Sequence, residues 1–322
     1  MRVLVIGASG AVGIRIVSQL RDGGHQVTGS CRSPGKMARL RAAGADPVVL
    51  DALDARAVRE AVAAAAPEAV IYQATALAGA GFSRSLDRSF APTNRLRAEG
   101  TDNVVAAARA AGVRRLIAQS FAPYRYGRSG GPVKAEDDPL DTAPPASARQ
   151  TFAAMSHLDE AVTAAGGIAL RYGGFYGAGD DDGLVKPVRR RMMPVIGDGG
   201  GIMSFIHLDD AAAATVLALG CEGPAIYNIT DDDPAPMCEW LPALAAALGA
   251  KAPRRAPLWL GRLLAGDGLV IMTESRGAAN AKAKKELGWT PRYPTWRDGF
   301  PAAYAHPQRN GERGRSWSSP ST

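Results

Sequence analysis

Short apolar runs alternate with stretches of helical periodicity over the first 172 residues. The first run, Val3–Ile6, predicts a buried strand, and apolar residues at positions 12, 16, 17 and 20 predict a helix over Val12–Leu20. Predicted helices lie between the apolar runs that follow. This alternation of strands and helices favours right-handed crossovers and a parallel sheet. The pattern therefore predicts an α/β fold with a doubly wound parallel sheet. The further predicted strands are Gln26–Ser30, Pro47–Leu50, Ala69–Tyr72, Arg115–Gln119, Ile168–Tyr172 and Ala225–Ile229.

The pattern changes after Ser120. Residues 121–149 are rich in Gly, Pro and Asp and predict a long loop. Beyond Tyr172 the regular alternation is lost. We therefore expect a dinucleotide-binding domain over 1–172, with 206–230 returning to it, and a smaller, mostly helical substrate domain. The substrate domain is expected over 173–205 and 231–305, and a disordered polar tail over 306–322.

Composition narrows the function classes. A hydrophobic fraction of 46% and a charged fraction of 21% are typical of a globular protein. The sequence contains no run of about 18 apolar residues, so a membrane span is not predicted. The net charge of +7 comes from scattered basic residues rather than a basic helix, so nucleic-acid binding is not predicted. The 3 cysteines and 4 histidines lack metal-ligand spacing, which predicts no metal site and favours a reducing cytoplasm.

A glycine-rich loop gives the sharpest indication of chemistry. Gly7, Gly10 and Gly13 follow the first predicted strand and open the first predicted helix. Gly7 suits a tight turn, Gly10 allows close approach of a pyrophosphate, and Gly13 allows the helix to pack on the strand. The amino end of the helix offers free N–H groups to phosphate. The loop therefore predicts a dinucleotide site.

The Gly-x-x-Gly-x-x-Gly spacing resembles the extended branch of the short-chain dehydrogenase/reductase superfamily, the NAD(P)-dependent epimerases and dehydratases. The resemblance covers about residues 1–305. It includes Asn94 before a Gly-Thr-x-Asn helix start, and Leu-Gly-Trp-Thr-Pro at residues 287–291. The resemblance implies a nicotinamide cofactor and a small-molecule substrate. Besides the three glycines, the cofactor contacts that it implies are Ser9, Ala11, Val12, Asp51, Ala52, Gln73, Ala74, Thr75 and Tyr172.

The end of the second strand predicts which dinucleotide binds. NAD-binding proteins place an acidic residue there for the ribose 2′-hydroxyl, whereas an Arg accommodates a 2′-phosphate. This sequence has no acid between Val27 and Lys36, and it carries Arg32 followed by Ser33. A guanidinium group suits phosphate geometry. NADP(H) is therefore favoured, with NAD(H) as the alternative.

The catalytic pair of the family has no counterpart at the expected place. The resemblance implies a Ser at the end of the fifth strand and a Tyr-x-x-x-Lys pair on the next helix, followed by an acid. Ser120 matches the Ser, and Tyr124 lies four residues further on. If Glu160 is the acid, Phe152 and Ser156 occupy the Tyr and Lys positions. Residues 147–165 contain neither Tyr nor Lys.

Three functions remain open at this stage. The first is a carbonyl reductase acting on a small organic or secondary metabolite, with Ser120 and Tyr124 as the favoured catalytic residues. The second is a regulator that binds the nucleotide without redox turnover, and the third is an epimerase, isomerase or cyclase on the same fold. A homodimer is left open. The other candidate proton donors are Tyr126, His157, Tyr172, Tyr176 and water.

Overall fold

The computed structural model describes residues 1–77, 85–178 and 181–304, with the side chains of 181, 182 and 264 excepted. The predicted tail over 306–322 lies outside these residues. The strands are β1 (Arg2–Ile6), β2 (Gln26–Cys31), β3 (Asp46–Val49), β4 (Ala69–Tyr72), β5 (Arg115–Phe121), β6 (Val133–Lys134), β7 (Ile168–Tyr172), β8 (Gly174–Tyr176), β9 (Val195–Ile196), β10 (Ile202–Met203), β11 (Phe205–His207), β12 (Ala225–Ile229), β13 (Ala235–Pro236), β14 (Arg255–Ala256) and β15 (Gly277–Ala278).

The helices divide between the two parts of the molecule. In the amino-terminal part they are α1 (Ala11–Asp22), α2 (Met37–Ala42), α3 (Ala55–Ala65), α4 (Leu86–Arg95), α5 (Thr101–Ala110) and α6 (Arg149–Ala164). The remaining helices are α7 (Lys186–Arg189), α8 (Leu208–Ala218), α9 (Met237–Ala247), α10 (Leu258–Ala265), α11 (Leu269–Glu274), α12 (Ala281–Leu287) and α13 (Trp296–Tyr304).

Seven parallel strands form the central sheet, in the order β12-β7-β5-β4-β1-β2-β3. The order reverses beside β1, which pairs with β2 on one side and β4 on the other. Ligands of open α/β sheets bind at such a switch point, outside the carboxyl ends of the strands. The doubly wound parallel sheet predicted from the alternation is confirmed.

Apolar side chains cover both faces of the sheet, which explains why its strands are nearly continuous apolar runs. Val3 and Val5 of β1 belong to the core beneath α1 and α8, whereas Leu4 and Ile6 belong to the core beneath α3 and α5. Each strand therefore contributes alternate residues to two cores.

A third core lies in the carboxy-terminal part. It includes an aromatic group in which Phe205 contacts Trp240 and Phe300 with ring centroids 5.2 Å apart. The short strands in this part form two-stranded pairs, such as β10 with β13. This packing holds α9 and α11 opposite the carboxyl edge of the large sheet.

Two connections differ from the sequence prediction. The segment predicted as a loop over 121–149 contains β6, which pairs with β15. A π-helical turn over Leu96–Gly100 joins α4 to α5, and apolar periodicity did not indicate it. A π-turn adds a residue to the helical repeat, and such turns are frequent at functional sites. Within the described ranges, no helix has the length and apolar character needed to cross a bilayer.

Candidate active site

A cavity of about 1040 Å³ opens at the carboxyl ends of the sheet strands. Its walls come from the loops after β1, β2, β4 and β5 on one side and from α9 and α11 on the other. This volume exceeds that of a typical pocket for one small molecule, so the cavity has room for a dinucleotide and a substrate together.

The glycine loop forms one end of this cavity. Gly7 has a φ of +89°, and a Cβ there would lie 2.7 Å from the backbone of Gln73 and Ala74. A Cβ on Gly13 would contact the Gly7 carbonyl and Ala8 at 2.9 Å or less, whereas a Cβ on Gly10 would lie 3.4 Å from its nearest neighbour. Gly10 is also exposed and begins α1 without a side-chain cap. Its missing side chain therefore leaves space for a ligand at the positive end of the helix.

Three cations surround the cavity at the end of β2. Arg32, Lys36 and Arg39 all line it, and all three are exposed. Within the described ranges none of them makes a side-chain hydrogen bond or an ion pair. The sequence prediction included Arg32 and Ser33 as contacts, and Ser33 also lines the cavity. The sequence prediction missed Arg39. The spacing could have indicated it, because a Lys and an Arg three residues apart at the start of a helix present both charges on one side.

Most of the predicted cofactor contacts lie in the cavity wall. Two do not. Asp51 is exposed and its side chain accepts a hydrogen bond from the Leu53 N–H at 3.0 Å. The Tyr172 hydroxyl lies beneath the cavity, where it accepts a hydrogen bond from Gln73 Nε2 at 2.9 Å. The predicted residues that line the cavity are Gly7, Ser9, Gly10, Ala11, Val12, Gly13, Arg32, Ser33, Ala52, Gln73, Ala74 and Thr75.

The far half of the cavity is apolar and rich in methionine. Five of the chain's 8 methionines line it, and Trp240 and Ile271 lie among them. Methionine side chains are flexible and polarisable, so this surface suits an apolar molecule of irregular shape. The five are Met155, Met193, Met203, Met237 and Met272.

Of the candidate proton donors, only Tyr124 lies in the cavity wall. Its phenol makes no side-chain hydrogen bond within the described ranges. Burial raises the pKa of Tyr124 to about 12, against the opposing charge of Arg97. The phenol is therefore protonated at neutral pH and has a free O–H to donate.

The structure corrects the position of Ser120. Its neighbours Gln119 and Phe121 line the cavity, and successive residues of a strand face opposite sides. Ser120 is consequently 1% exposed and its hydroxyl accepts a hydrogen bond from Arg125 Nη1 at 3.1 Å. It cannot reach a molecule in the cavity in this arrangement.

The remaining candidate donors are also engaged elsewhere. His157 Nε2 lies 2.8 Å from Asp102 Oδ1 on the outer side of α6. The Tyr126 hydroxyl donates to Asn228 Oδ1 at 2.7 Å, and Tyr176 is buried against Phe300. None of these side chains lines the cavity.

A buried ion-pair group supports the wall behind Ser120. Asp159 Oδ2 accepts from Arg125 Nη1 at 2.7 Å and from Arg171 Nε at 2.8 Å. Burial opposes the charge on Asp159, but the two guanidinium groups outweigh it and lower the pKa of the carboxyl. Two cations around one carboxylate leave this group with a net positive charge.

The register predicted for α6 was wrong by one residue. Asp159 is the buried acid, and Glu160 is exposed. Counting back from Asp159 in steps of four gives Met155 and Thr151, and both line the cavity. Phe152 and Ser156, predicted at these places, lie outside the wall. In the corrected register the helix presents Thr151 and Met155 to the cavity.

Arg97 is a functional candidate that the sequence did not indicate. It lies on the π-helical turn, lines the cavity and is only 5% exposed. Burial lowers the pKa of its guanidinium group to about 10, so the group stays charged at neutral pH. Within the described residues, Arg97 has no hydrogen bond and no ion pair.

No group of three or more His, Cys, Asp or Glu side chains in the described part of the chain is arranged to hold a metal ion. The described charged residues of the cavity wall are all cationic. They are Arg15, Arg32, Lys36, Arg39 and Arg97.

Comparison with known proteins agrees with this geometry. A model of the NAD dependent epimerase/dehydratase family matches residues 3–230. A Streptomyces 3-diazoavenalumate denitrifying reductase is 44% identical over 313 residues, which is 93% of this chain and 99% of the relative. A 2-alkyl-3-oxoalkanoate reductase of Stenotrophomonas maltophilia is 32% identical over 265 residues, with 78% and 76% covered.

The fold is also that of a solved enzyme. A Thermotoga maritima UDP-glucose 4-epimerase crystallised with UDP-glucose superposes with a TM-score of 0.75 at 19% identity, covering 95% of this chain and 98% of the epimerase. At this identity the likeness shows a shared architecture. The sequence relatives show an enzyme that is an NAD(P)-dependent oxidoreductase.

Proposed function

The chain belongs to the NAD dependent epimerase/dehydratase family, and we propose that it is an NADP(H)-dependent reductase of a mostly apolar organic molecule. The observation that carries the proposal is one continuous cavity with two unlike halves. One half has the glycine loop and the cations Arg32, Lys36 and Arg39, and the other has methionines and the phenol of Tyr124; among the described residues these four polar side chains have no hydrogen-bond partner.

The residues present fit a nicotinamide dinucleotide phosphate. The exposed Gly10 and the uncapped first turn of α1 suit the pyrophosphate, and Arg32, Lys36 and Arg39 suit a 2′-phosphate. Bound there, the cofactor supplies hydride. The absence of an acid at the end of β2 removes the usual partner of the NAD ribose.

The first candidate acceptor is a carbonyl carbon. Negative charge develops on the carbonyl oxygen as hydride adds, and a donor must stabilise it. Tyr124 is the described phenol in the cavity wall, and its raised pKa keeps its proton available. The relative from Stenotrophomonas, named as an oxoalkanoate reductase, supports this candidate.

The second candidate acceptor is a carbon that carries a diazo group. The relative from Streptomyces, named as a denitrifying reductase of such a compound, matches almost end to end. In reduction of a diazonium group, hydride forms the new C–H bond while the C–N bond breaks and its electron pair leaves with N2. The protein need not supply a proton for that step. Thr151 and Met155 in place of Tyr and Lys are compatible with it.

One experiment separates the two candidates. NADPH oxidation would be followed with a panel of aryl ketones and with aryl diazonium salts, with N2 release as a second readout and protein-free mixtures as blanks. Tyr124→Phe should lower kcat for ketones by about 10² or more, the usual scale for loss of a general acid, and leave diazonium reduction unchanged.

Tyr227→Phe is the matched control, because the Tyr227 hydroxyl donates to Glu286 Oε2 at 2.9 Å, away from the cavity. If neither panel oxidises NADPH although the protein binds it, the reductase proposal is wrong and the non-redox regulator takes its place.

A further inference from the structure

Arg97 is a buried cation for which the fold gives no partner. The residue is 5% exposed to solvent, and its side chain makes no hydrogen bond or ion pair in the described chain. Removing a guanidinium group from water without a partner is strongly unfavourable. A side chain kept at such a cost is expected to have a role outside the stability of the fold.

The local charges make this cost larger. Arg125 lies close enough to lower the pKa of Arg97 further, and Asp159, which offsets it, is already bonded to Arg125 and Arg171. In the described chain, three guanidinium groups thus lie around the Asp159 carboxylate, whose Oδ2 is shared by Arg125 and Arg171 and whose Oδ1 has no hydrogen-bond partner. Their unbalanced positive charge faces the cavity through Arg97.

The phosphate-binding features of the cavity do not include Arg97. The phosphate-binding features are the amino end of α1 and the cations after β2. Arg97 lies on a different element, the π-helical turn, close to Tyr124 in the cavity wall. Arg15, which also lines the wall, is paired with Asp209 at 2.5 Å. Arg97 is therefore the unpaired described cation on the Tyr124 side of the cavity.

We propose that Arg97 binds a carboxylate of the substrate, so that the molecule reduced here is an apolar organic acid. The assignment rests on the proposed reductase function and adds the substrate class. A guanidinium group pairs with a carboxylate through two parallel hydrogen bonds, which fixes the orientation of the molecule as well as its affinity. The methionine-lined surface then holds the apolar body.

Matched probes test the assignment. The intact protein, saturated with NADP⁺, would be titrated with 2-naphthoate and with 2-naphthamide, and with the corresponding biphenyl-4-carboxylate and amide. Each pair has nearly the same shape and differs in charge. The carboxylates should bind at least about tenfold more tightly than their amides, in line with a charge-assisted hydrogen bond. Arg97→Met should abolish this difference, and Arg97→Lys should retain part of it.

Two further readouts separate binding from structural support. Because Arg97 is buried without a partner, Arg97→Met should leave the Tm unchanged or raise it, whereas loss of a structural residue would lower it. Arg95→Met removes an exposed cation of α4 that is paired with Glu99 at 2.8 Å, and it should leave the carboxylate preference intact.

The outcomes distinguish this assignment from the reductase proposal. Equal affinity of the parent protein for acid and amide in both pairs would overturn the carboxylate site, even if NADPH reduces a substrate. If Arg97→Met still binds the carboxylates more tightly than the amides, the role of Arg97 is wrong. The role is also wrong if Arg97→Met weakens the binding of NADPH as much as it weakens the binding of the acids. Failure of the parent protein to bind NADP(H) would instead count against the reductase proposal.

Discussion

At the scale of single residues, Arg32 should decide between the two dinucleotides. It is exposed, lines the cavity and has no partner among the described residues. Arg32→Ala should weaken NADPH binding by about 1.5–3 kcal/mol, the range for hydrogen bonds to charged groups, and barely change NADH binding. Calorimetry with both cofactors measures the difference.

Arg41→Ala is the matched control for Arg32. Arg41 is exposed on α2 but does not line the cavity, so its loss should leave both affinities unchanged. Equal affinity of the parent protein for NADPH and NADH would contradict the preference, whatever the variants do.

Sequence reasoning reached some of these residues and missed others for a physical reason. The positions of Arg32 and the glycines in the cavity wall could be predicted because they depend on local backbone geometry near the ends of two strands. Ser120 was misplaced because the strand alternation at Gln119 and Phe121 decides its direction. Arg97 could not be found, since its importance lies in the lack of a partner, which only the packed structure reveals.

At the scale of elements, the β1–loop–α1 unit separates packing from ligand binding. Gly13 and Gly10 lie three residues apart, but a Cβ on Gly13 would press on the backbone of Gly7 and Ala8, whereas one on Gly10 would not. Gly13→Ala should destabilise the protein by about 1–3 kcal/mol through overpacking. Gly10→Ala should leave the unfolding free energy unchanged or raise it by about 0.4–1 kcal/mol.

The NADPH affinity should respond differently to the same two substitutions. Gly10→Ala is expected to weaken binding by at least about tenfold, because the methyl group would occupy space that a phosphate needs. Thermal unfolding without ligand and calorimetry with NADPH measure both effects. Unchanged NADPH binding in Gly10→Ala would show that the phosphate does not lie over this loop.

The helices show where periodicity suffices and where it does not. Helix α1 was predicted over Val12–Leu20 and extends over Ala11–Asp22. Helix α6 was also predicted, but apolar residues surround much of it, so the spacing did not reveal which face meets the cavity. The buried ion pairs of Asp159 set that face, and their cations come from the loop after β5 and from β7 rather than from the helix itself.

At the scale of the whole molecule, the parallel sheet could be predicted because each strand and helix repeats one local pattern. The carboxy-terminal part could not be drawn in detail, since its strands are two or three residues long and gain their stability from distant contacts. The segment after β12 shows this. Backbone N–H groups of Asp231 and Asp232 donate to Phe205 at 2.7 Å and to Pro294 at 2.8 Å, so one turn joins three separated segments.

Asp231 in this joint should make stability depend on pH. Burial raises the pKa of Asp231 to about 8, and the nearby Asp233 and Asp232 add to the effect. Its Oδ2 has no hydrogen-bond partner in the described chain. The native state therefore holds a proton that the unfolded state, with a pKa near 4, releases. Since the native state binds more protons between about pH 4 and 8, the contribution of Asp231 to stability falls as pH rises through that window.

Asp231→Asn should remove that contribution, because an amide does not titrate. The unfolding free energy of the variant minus that of the parent should rise between pH 5 and 8, by at most about 1.4 kcal/mol per pH unit. The subtraction also removes the contribution of His207, which both proteins share. Burial lowers the pKa of His207, so its contribution to the unfolding free energy changes with pH in the opposite direction to that of Asp231. Asp46→Asn, at an exposed position of β3, is the control for the exchange of a carboxylate for an amide. Denaturant unfolding at several pH values measures the difference, and a flat profile for Asp231→Asn would mean that the carboxyl of Asp231 is already ionised at pH 5 in the folded protein.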